Sequence, residues 1–457
     1  MTVNGNVSYW FSELGLPTPR DVLDGNASAD VVIVGAGYTG LWTAYYLAQA
    51  RPDLTIRMLD QHFAGYGASG RNGGWLINTI TGGQDGYARL AGRDAAAAFQ
   101  LSMNDTVDEV IRVAAAEGIE ADIHKGGSML VARNRAQLAR LEQLGAHAAR
   151  WPEEGLRLLD AGQADARIRI AGSLGGGWLP HCARIHPAKL VTGLARTVRA
   201  LGVTIHEGTR VTEISSGRVT TERGVVTALH IVRATEGFTS ALAGEKRTWV
   251  PLNSSMIVTE PLPKEAWDEI GWNDFDTLED LSHVYSYAQR TADGRIAIGG
   301  RGNPYRFGSK TDNDGQVHHQ TIESLTRILR EWFPAAAKTP IAHGWSGVLG
   351  VPRDWRATVG YDRASGVGWA GGYVGTGVAA TNLAGRTMAD LVLGVESELT
   401  RLPWVNRKAR KWEPEPLRWI ATHAIYRAYG WADRLENRGG SRTSGIARIA
   451  DVISGRD

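Results

Sequence analysis

The chain has a single cysteine, Cys182, in 457 residues. It can form no disulfide within the chain and no cysteine-based metal centre, and so few thiols fit a reducing, cytoplasmic location. No run of about 18 apolar residues occurs, so no membrane-spanning helix is expected. No basic stretch followed by an apolar run opens the chain, so no signal peptide is read there. Excess charge is missing too: 50 Lys and Arg stand against 48 Asp and Glu, a net +2. That gives no electrostatic footprint for nucleic acid. Neither a G-x-S-x-G elbow nor an H-E-x-x-H pair is present, which removes the usual starting points for serine hydrolysis and zinc proteolysis. His181, Cys182 and His186 lack a fourth ligand for zinc, so no metal is expected, and Cys182 reads as a small buried apolar residue.

What the chain has in quantity is glycine, 56 residues, together with 16 Trp. The length predicts two domains, since single cores stop growing near roughly 250–300 residues. Strand–helix units occur at both ends of the chain, with alternating, β-rich material between them. This predicts an α/β fold: a Rossmann-like nucleotide-binding domain from 30–100, 165–240 and 340–400, interrupted by an antiparallel β-sheet (α+β) substrate domain from 101–164 and 241–339. Residues 1–29 read as an arm held on by Trp10 and Phe11, and 401–457 as a helical extension.

Val31-Val32-Ile33-Val34 is a continuous apolar run, as a parallel strand buried on both faces requires. It leads into Gly35-Ala36-Gly37-Tyr38-Thr39-Gly40, a G-x-G-x-x-G. There Gly35 permits a tight turn, Gly37 admits a pyrophosphate, and Gly40 lets the following helix pack close on the strand. The next strand ends on Asp60, 20 residues beyond Gly40, where a carboxylate binds ribose hydroxyls and disfavours a 2′-phosphate. The chain therefore binds an ADP moiety. A second glycine loop, Gly67-Ala68-Ser69-Gly70-Arg71-Asn72-Gly73-Gly74, decides between cofactors. A simple NAD enzyme needs no such clamp, whereas FAD needs further backbone donors, with Ser69 and Arg71 as added phosphate contacts. FAD is the expected cofactor.

These motifs resemble the D-amino-acid oxidase/glycine oxidase/sarcosine oxidase superfamily, and within it the γ-glutamylputrescine oxidase-like proteins. His186-Pro187-Ala188-Lys189-Leu190 is similar to the family's H-P-x-K-L helix start, and Ala234-Thr235-Glu236-Gly237-Phe238 to its A-T-N-G-Y, with Glu236 in place of Asn. Gly371-Gly372-Tyr373-Val374-Gly375-Thr376-Gly377-Val378 resembles the C-terminal flavin motif. The resemblance implies the glutathione-reductase type of FAD-binding domain. It adds Gln61, Val211, Thr235, Gly237, Gly372, Gly375, Thr376, Gly377 and Val378 to the FAD-contacting residues. Relatives that tether flavin use a Cys in the C-terminal third or a His in the first glycine-rich loop. Here no Cys follows 182 and Arg71 stands at the His position, so the FAD is expected to be non-covalent.

The resemblance also implies amine oxidation: hydride passes from the carbon beside nitrogen to flavin N5, the resulting imine is hydrolysed, and oxygen is reduced to hydrogen peroxide. An apolar pocket favours the neutral amine that such a step needs. Trp75, Tyr285, Tyr287, Trp345 and Tyr373 are candidates to line it, against the alternative of ordinary core packing. Arg290 and Arg301 are candidates to hold a substrate carboxylate. His343 reads as a core histidine. Two other readings stay open: a dehydrogenase that passes electrons to a quinone or carrier protein, and a non-catalytic FAD-binding subunit. Substrate identity and oligomeric state are not legible. The Trp- and Arg-rich tail reads as a packed extension, with a surface helix against membrane or a partner as the alternative.

Overall fold

The computed structural model describes residues 2–300, 302, 304–311 and 314–454, without the side chains of Val452 and Ile453. Val31–Val34 are each at most 3% exposed, because alternate side chains pack into apolar clusters on the two faces of their sheet, Val31 and Ile33 in one and Val32 and Val34 in the other. Their strand, Ala27–Val34, lies between Ile56–Leu59 and Val225–Arg233. Thr204–His206 extends the parallel set beyond Ile56–Leu59, and Val367–Gly371 pairs with the C-terminal half of Val225–Arg233. Antiparallel Thr358–Asp362 and the hairpin of Val211–Ser215 with Arg218–Thr221 complete an eight-stranded sheet. The helix Tyr38–Ala50 packs on Pro187–Ala200 and on Gly377–Leu393. The last contact is close: a Cβ on Gly385 would stand 2.6 Å from Cβ of Trp42.

The second sheet has nine strands and is mostly antiparallel. In it Val250–Thr259 pairs with Ile296–Gly300 on one side and Ile341–Val351 on the other. Tyr287–Arg290, Thr277–Asp280, Ser128–Ala132, Gly175–Leu179 and Arg157–Leu159 follow outward. The helix His319–Trp332 covers part of it, inserting Leu325, Leu329 and Trp332 at helical spacing beside Ile257 and Ile298.

Two strands pair differently from the division read in the sequence. Gly175–Leu179 and Ile341–Val351 fall within 165–240 and 340–400, yet both join the nine-stranded sheet. Ile341–Val351 is held there by antiparallel pairing with Val250–Thr259 along nearly its whole length, from Val250 opposite Val351 to Thr259 opposite Ile341. The arm is anchored at two places in its first half: Val3–Asn4 pairs with His343 and Gly344, and Tyr9–Leu14 buries Trp10 and Phe11. The tail forms two helices, Leu417–Asn437 and Gly445–Ser454. No helix among the described residues is long and apolar enough to cross a membrane.

Candidate active site

The C-terminal ends of the parallel strands converge on one groove, the position at which open α/β sheets bind ligands. Its walls come from Val34–Thr39, Leu59–His62, the 66–72 loop, Ala234–Phe238 and the 373–378 turn. Gly35 sits at φ +107°, and a Cβ there would stand 2.5 Å from the carbonyl oxygen of Ala234, so the turn requires glycine. Helices Tyr38–Ala50 and Gly377–Leu393 both start at this groove, and the N-cap residue of neither, Gly37 or Thr376, caps it with its own side chain. Their first-turn N–H groups and dipole ends suit an anion.

At the other end lies Asp60. Its Oδ2 accepts the N–H of Ala36 at 2.8 Å and its Oδ1 that of His62 at 2.9 Å. Burial pushes its carboxyl up to about 6, while these two bonds pull it down. Each oxygen keeps a lone pair for a hydroxyl donor. Ser69 joins the two glycine loops by accepting the N–H of Tyr38 at 2.8 Å.

Most residues expected to contact the cofactor line this groove. From the first motif and its acid they are Gly35, Gly37, Tyr38, Thr39, Asp60 and Gln61; from the second loop, Gly67, Ala68, Ser69 and Asn72. Val211, Thr235, Gly237, Gly375, Gly377 and Val378 complete the set. The others lie off its lining. Gly40 packs beneath it, where a Cβ would stand 2.0 Å from the carbonyl oxygen of Gly35. Gly70 is covered by Phe11 and Gly74 by Gln289. Arg71, only 3% exposed, donates from Nε to the carbonyl of Tyr66 at 2.8 Å and from Nη1 to that of Ser346 at 3.2 Å. With Gly73 and Thr376 it lines a neighbouring cavity. Gly372 donates its N–H to Glu236 at 2.8 Å.

Glu236 is the contact that the motif comparison left without a role. Its carboxylate also accepts the N–H groups of Gly350 at 3.1 Å and Tyr373 at 3.3 Å, tying the 371–378 turn to the strand Ile341–Val351. Burial pushes it up to about 7 despite those bonds and the nearby Arg233.

A second cavity, of about 550 Å³, adjoins the groove and shares Ala68, Asn72, Leu349, Gly375 and Val378 with its lining. Trp75, Tyr285, Tyr287 and Met256 are among the residues that line it. The Tyr287 hydroxyl and Ser254 Oγ are 2.9 Å apart, and the Trp75 ring meets Tyr287 edge-on at 6.0 Å. Three other candidates are elsewhere. Tyr373 lines the nucleotide groove, its hydroxyl 3.2 Å from Thr39 Oγ1. Trp345 is fully buried, donates to the carbonyl of Arg71 and packs edge-on against Trp10. Arg290 lies over the rings of Trp267 and Phe275 and bonds the carbonyl of Trp272. Arg301 lies outside the described residues. His343 is a core residue bonded to the carbonyl of Gly5 at 2.7 Å. Buried Cys182 lies 3.3 Å from the Thr277 hydroxyl, and burial pushes its thiol up to about 12.

The cavity also draws on residues that no motif announced: Arg140, Glu279, Asp280, His283 and, from the tail, Asp451. Burial pushes Asp280 up to about 6, opposed by hydrogen bonds from Ser282 and Ser286. Glu436 accepts from Arg140 at 2.8 Å and lies 2.9 Å from His283 Nε2. Burial would raise it, but these bonds prevail and hold it near 2. Asp433 accepts the backbone N–H groups of His283 and Val284 at 2.8 and 3.0 Å. His283, Asp433 and Glu436 are close enough to share a cation, but the Arg140 guanidinium already supplies positive charge there. The tail thus closes one side of the cavity.

Bare glycine backbone, two helix N-termini and an acid with spare lone pairs fit a dinucleotide carrying a flavin. A profile of the DAO family, FAD dependent oxidoreductase, matches residues 30–391. The gamma-glutamylputrescine oxidoreductase of Escherichia coli (strain K12) is 31% identical over 397 residues, which is 85% of this chain and 89% of that protein. Among solved structures, glycine oxidase from Geobacillus kaustophilus superposes with a TM-score of 0.68 at 21% identity, over 84% of this chain and 99% of that one. L-proline dehydrogenase from P. horikoshii gives 0.69 at 16% identity, over 84% and 98%. The chain belongs to the DAO family of FAD-dependent oxidoreductases, enzymes that act on CH–NH or CH–NH₂ groups.

Proposed function

We propose that the chain oxidises an amine at the carbon beside nitrogen and passes the electrons to oxygen, yielding an imine, which water hydrolyses, and hydrogen peroxide. The observation that carries this reading is the cavity walled by Trp75, Tyr285 and Tyr287 beside the nucleotide groove, with which it shares Ala68, Asn72, Leu349, Gly375 and Val378 as lining. When bound, FAD supplies the hydride acceptor. The walls formed by Trp75, Tyr285, Tyr287 and Met256 disfavour an ammonium and so select the neutral amine. The paired hydroxyls of Tyr287 and Ser254 orient it. Glu279, Asp280 and Asp451 suit a second cationic or hydrogen-bond-donating group farther along the substrate. The name of the E. coli relative, which cites a putrescine derivative, is in keeping with that.

Cofactor binding is proposed to be non-covalent, because Arg71 is turned to backbone carbonyls and Cys182 lines neither space. A reducing cytoplasm suits the single buried thiol. The test is anaerobic bleaching of the purified flavoprotein by a panel of monoamines, diamines and amino acids, followed by admission of air. Bleaching by amines and peroxide release on re-oxidation are expected. Bleaching without peroxide overturns oxygen as the acceptor; no bleaching by any amine overturns the reaction and leaves a flavin-binding subunit.

A further inference from the structure

The helix Leu417–Asn437 lies beyond the segment matched to the family, residues 30–391. Its inner face is fully used. Tyr429 and Ala432 pack on Ala447 and Ala450 of the helix Gly445–Ser454, and Asp433 and Glu436 hold His283 and Arg140. Its outer face is apolar where a solvated helix would be polar. Leu417 is 58% exposed, Ile420 53%, Trp431 63% and Leu435 51%. At about 100° per residue these four fall within an arc of about 60°. Arg427 and Arg434 border that arc.

The charges are equally one-sided. Among the described residues of 417–454, the exposed charged ones are Arg427, Arg434, Arg438, Arg442 and Arg448. The acids of this stretch, Asp433, Glu436 and Asp451, are all engaged inward, on His283, Arg140 and Tyr429.

We propose that this face lies on an anionic lipid surface. Leu417, Ile420, Trp431 and Leu435 enter the boundary between headgroups and acyl chains, and the arginines meet lipid phosphates. A tryptophan among aliphatic side chains with flanking arginines is the composition that such a boundary selects. A second copy of the chain is a poorer occupant. A two-fold contact through this face sets arginines against arginines and offers no carboxylate to pair them. The helix lies along the surface and does not cross it, since no described helix is apolar enough to span a membrane.

The test uses the FAD-loaded protein, sedimented with vesicles of phosphatidylcholine alone and of phosphatidylcholine and phosphatidylglycerol in equal parts. Pelleting with the mixed vesicles only, relieved by added salt, is expected. The double variants Trp431→Ser/Leu435→Ser and Arg434→Glu/Arg438→Glu should each weaken vesicle affinity by about tenfold or more. Amine-driven flavin bleaching should stay at the wild-type level, showing an intact fold. The salt response of the unaltered protein tests the proposal without any variant. Failure to pellet with mixed vesicles overturns it, as does equal pelleting with both kinds. Self-association that Trp431→Ser abolishes, in a protein that ignores vesicles, assigns the face to a second copy instead and also overturns it.

Discussion

Glu236→Gln isolates one titration at the centre of the groove. The carboxylate accepts three backbone N–H groups, from Gly350, Gly372 and Tyr373, yet burial outweighs them and raises it from 4.5 to about 7. The unfolded chain releases this proton near the ordinary value, while the folded apoprotein keeps it until about 7. Between those values the folded state binds more protons, so this group costs stability progressively as pH rises. At about 1.4 kcal/mol per unit, the shift sets a ceiling of roughly 3.5 kcal/mol. Glutamine keeps the shape and removes the titration. The variant should therefore gain on the wild type by up to about 3.5 kcal/mol as pH rises from about 4.5 to about 7, with little further change above that. Urea denaturation of both apoproteins, at several values from about pH 5 to about 8, gives the difference directly. A difference that does not vary with pH refutes the reasoning. A wild type that gains on the variant with rising pH shows that the three N–H groups and Arg233 overcome burial and hold the carboxyl below its ordinary value.

Gly40→Ala would place a Cβ 2.0 Å from the carbonyl oxygen of Gly35; relieving that clash should cost about 1–3 kcal/mol or more and strip FAD on gel filtration, and a variant that keeps its flavin contradicts the packing described. Asp60→Asn should raise the FAD dissociation constant by about tenfold to a hundredfold by calorimetry. In the wild type, FAD affinity should strengthen as pH rises through about 6, where Asp60 ionises, because an anion is the better acceptor for ribose hydroxyls; unchanged affinity in either experiment removes Asp60 from the ribose. Tyr287→Phe deletes the contact with Ser254 and should slow amine-driven flavin reduction by about threefold to tenfold with FAD affinity unchanged, whereas an equal loss of FAD affinity would move Tyr287 from the substrate wall to the cofactor.

The groove was legible because its constraints are local. The run Val31–Val34, the turn at Gly35, the helix start and Asp60 lie within one strand–helix–strand unit, and each implies the next. Sheet partners were less so. Gly175–Leu179 opens with three glycines, which carry no side-chain alternation to read. Ile341–Val351 is buried on both faces along most of its length, so its pattern resembles that of a strand in a parallel sheet. The cavity was half legible. Of the aromatic candidates, Trp75, Tyr285 and Tyr287 line it. Tyr373 is drawn to Thr39 and Trp345 to the carbonyl of Arg71. Asp451 and Arg140 reach the same cavity from segments with no motif, and only the folded tail brings them together.

Arg71 and Glu236 show why a charged residue inside a motif is the hardest to read. Arg71 sits among glycines in a phosphate-type loop, which pointed its guanidinium at the cofactor. A guanidinium has five N–H donors, and buried carbonyls compete for them. Those of Tyr66 and Ser346 win, and Ser346 belongs to a strand that the loop sequence does not foretell. Glu236 is the converse case, a departure from the family's Asn with no local reason. The reason lies in Gly350, Gly372 and Tyr373, whose N–H groups converge on it while its own backbone sits at φ +39°. An amide offers one acceptor oxygen and brings two donors of its own, whereas a carboxylate offers two oxygens and no donor. Three converging N–H groups therefore favour the acid at 236, and the strand at 350 and the turn at 372 act with it as one unit that none of the three stretches of sequence could disclose alone.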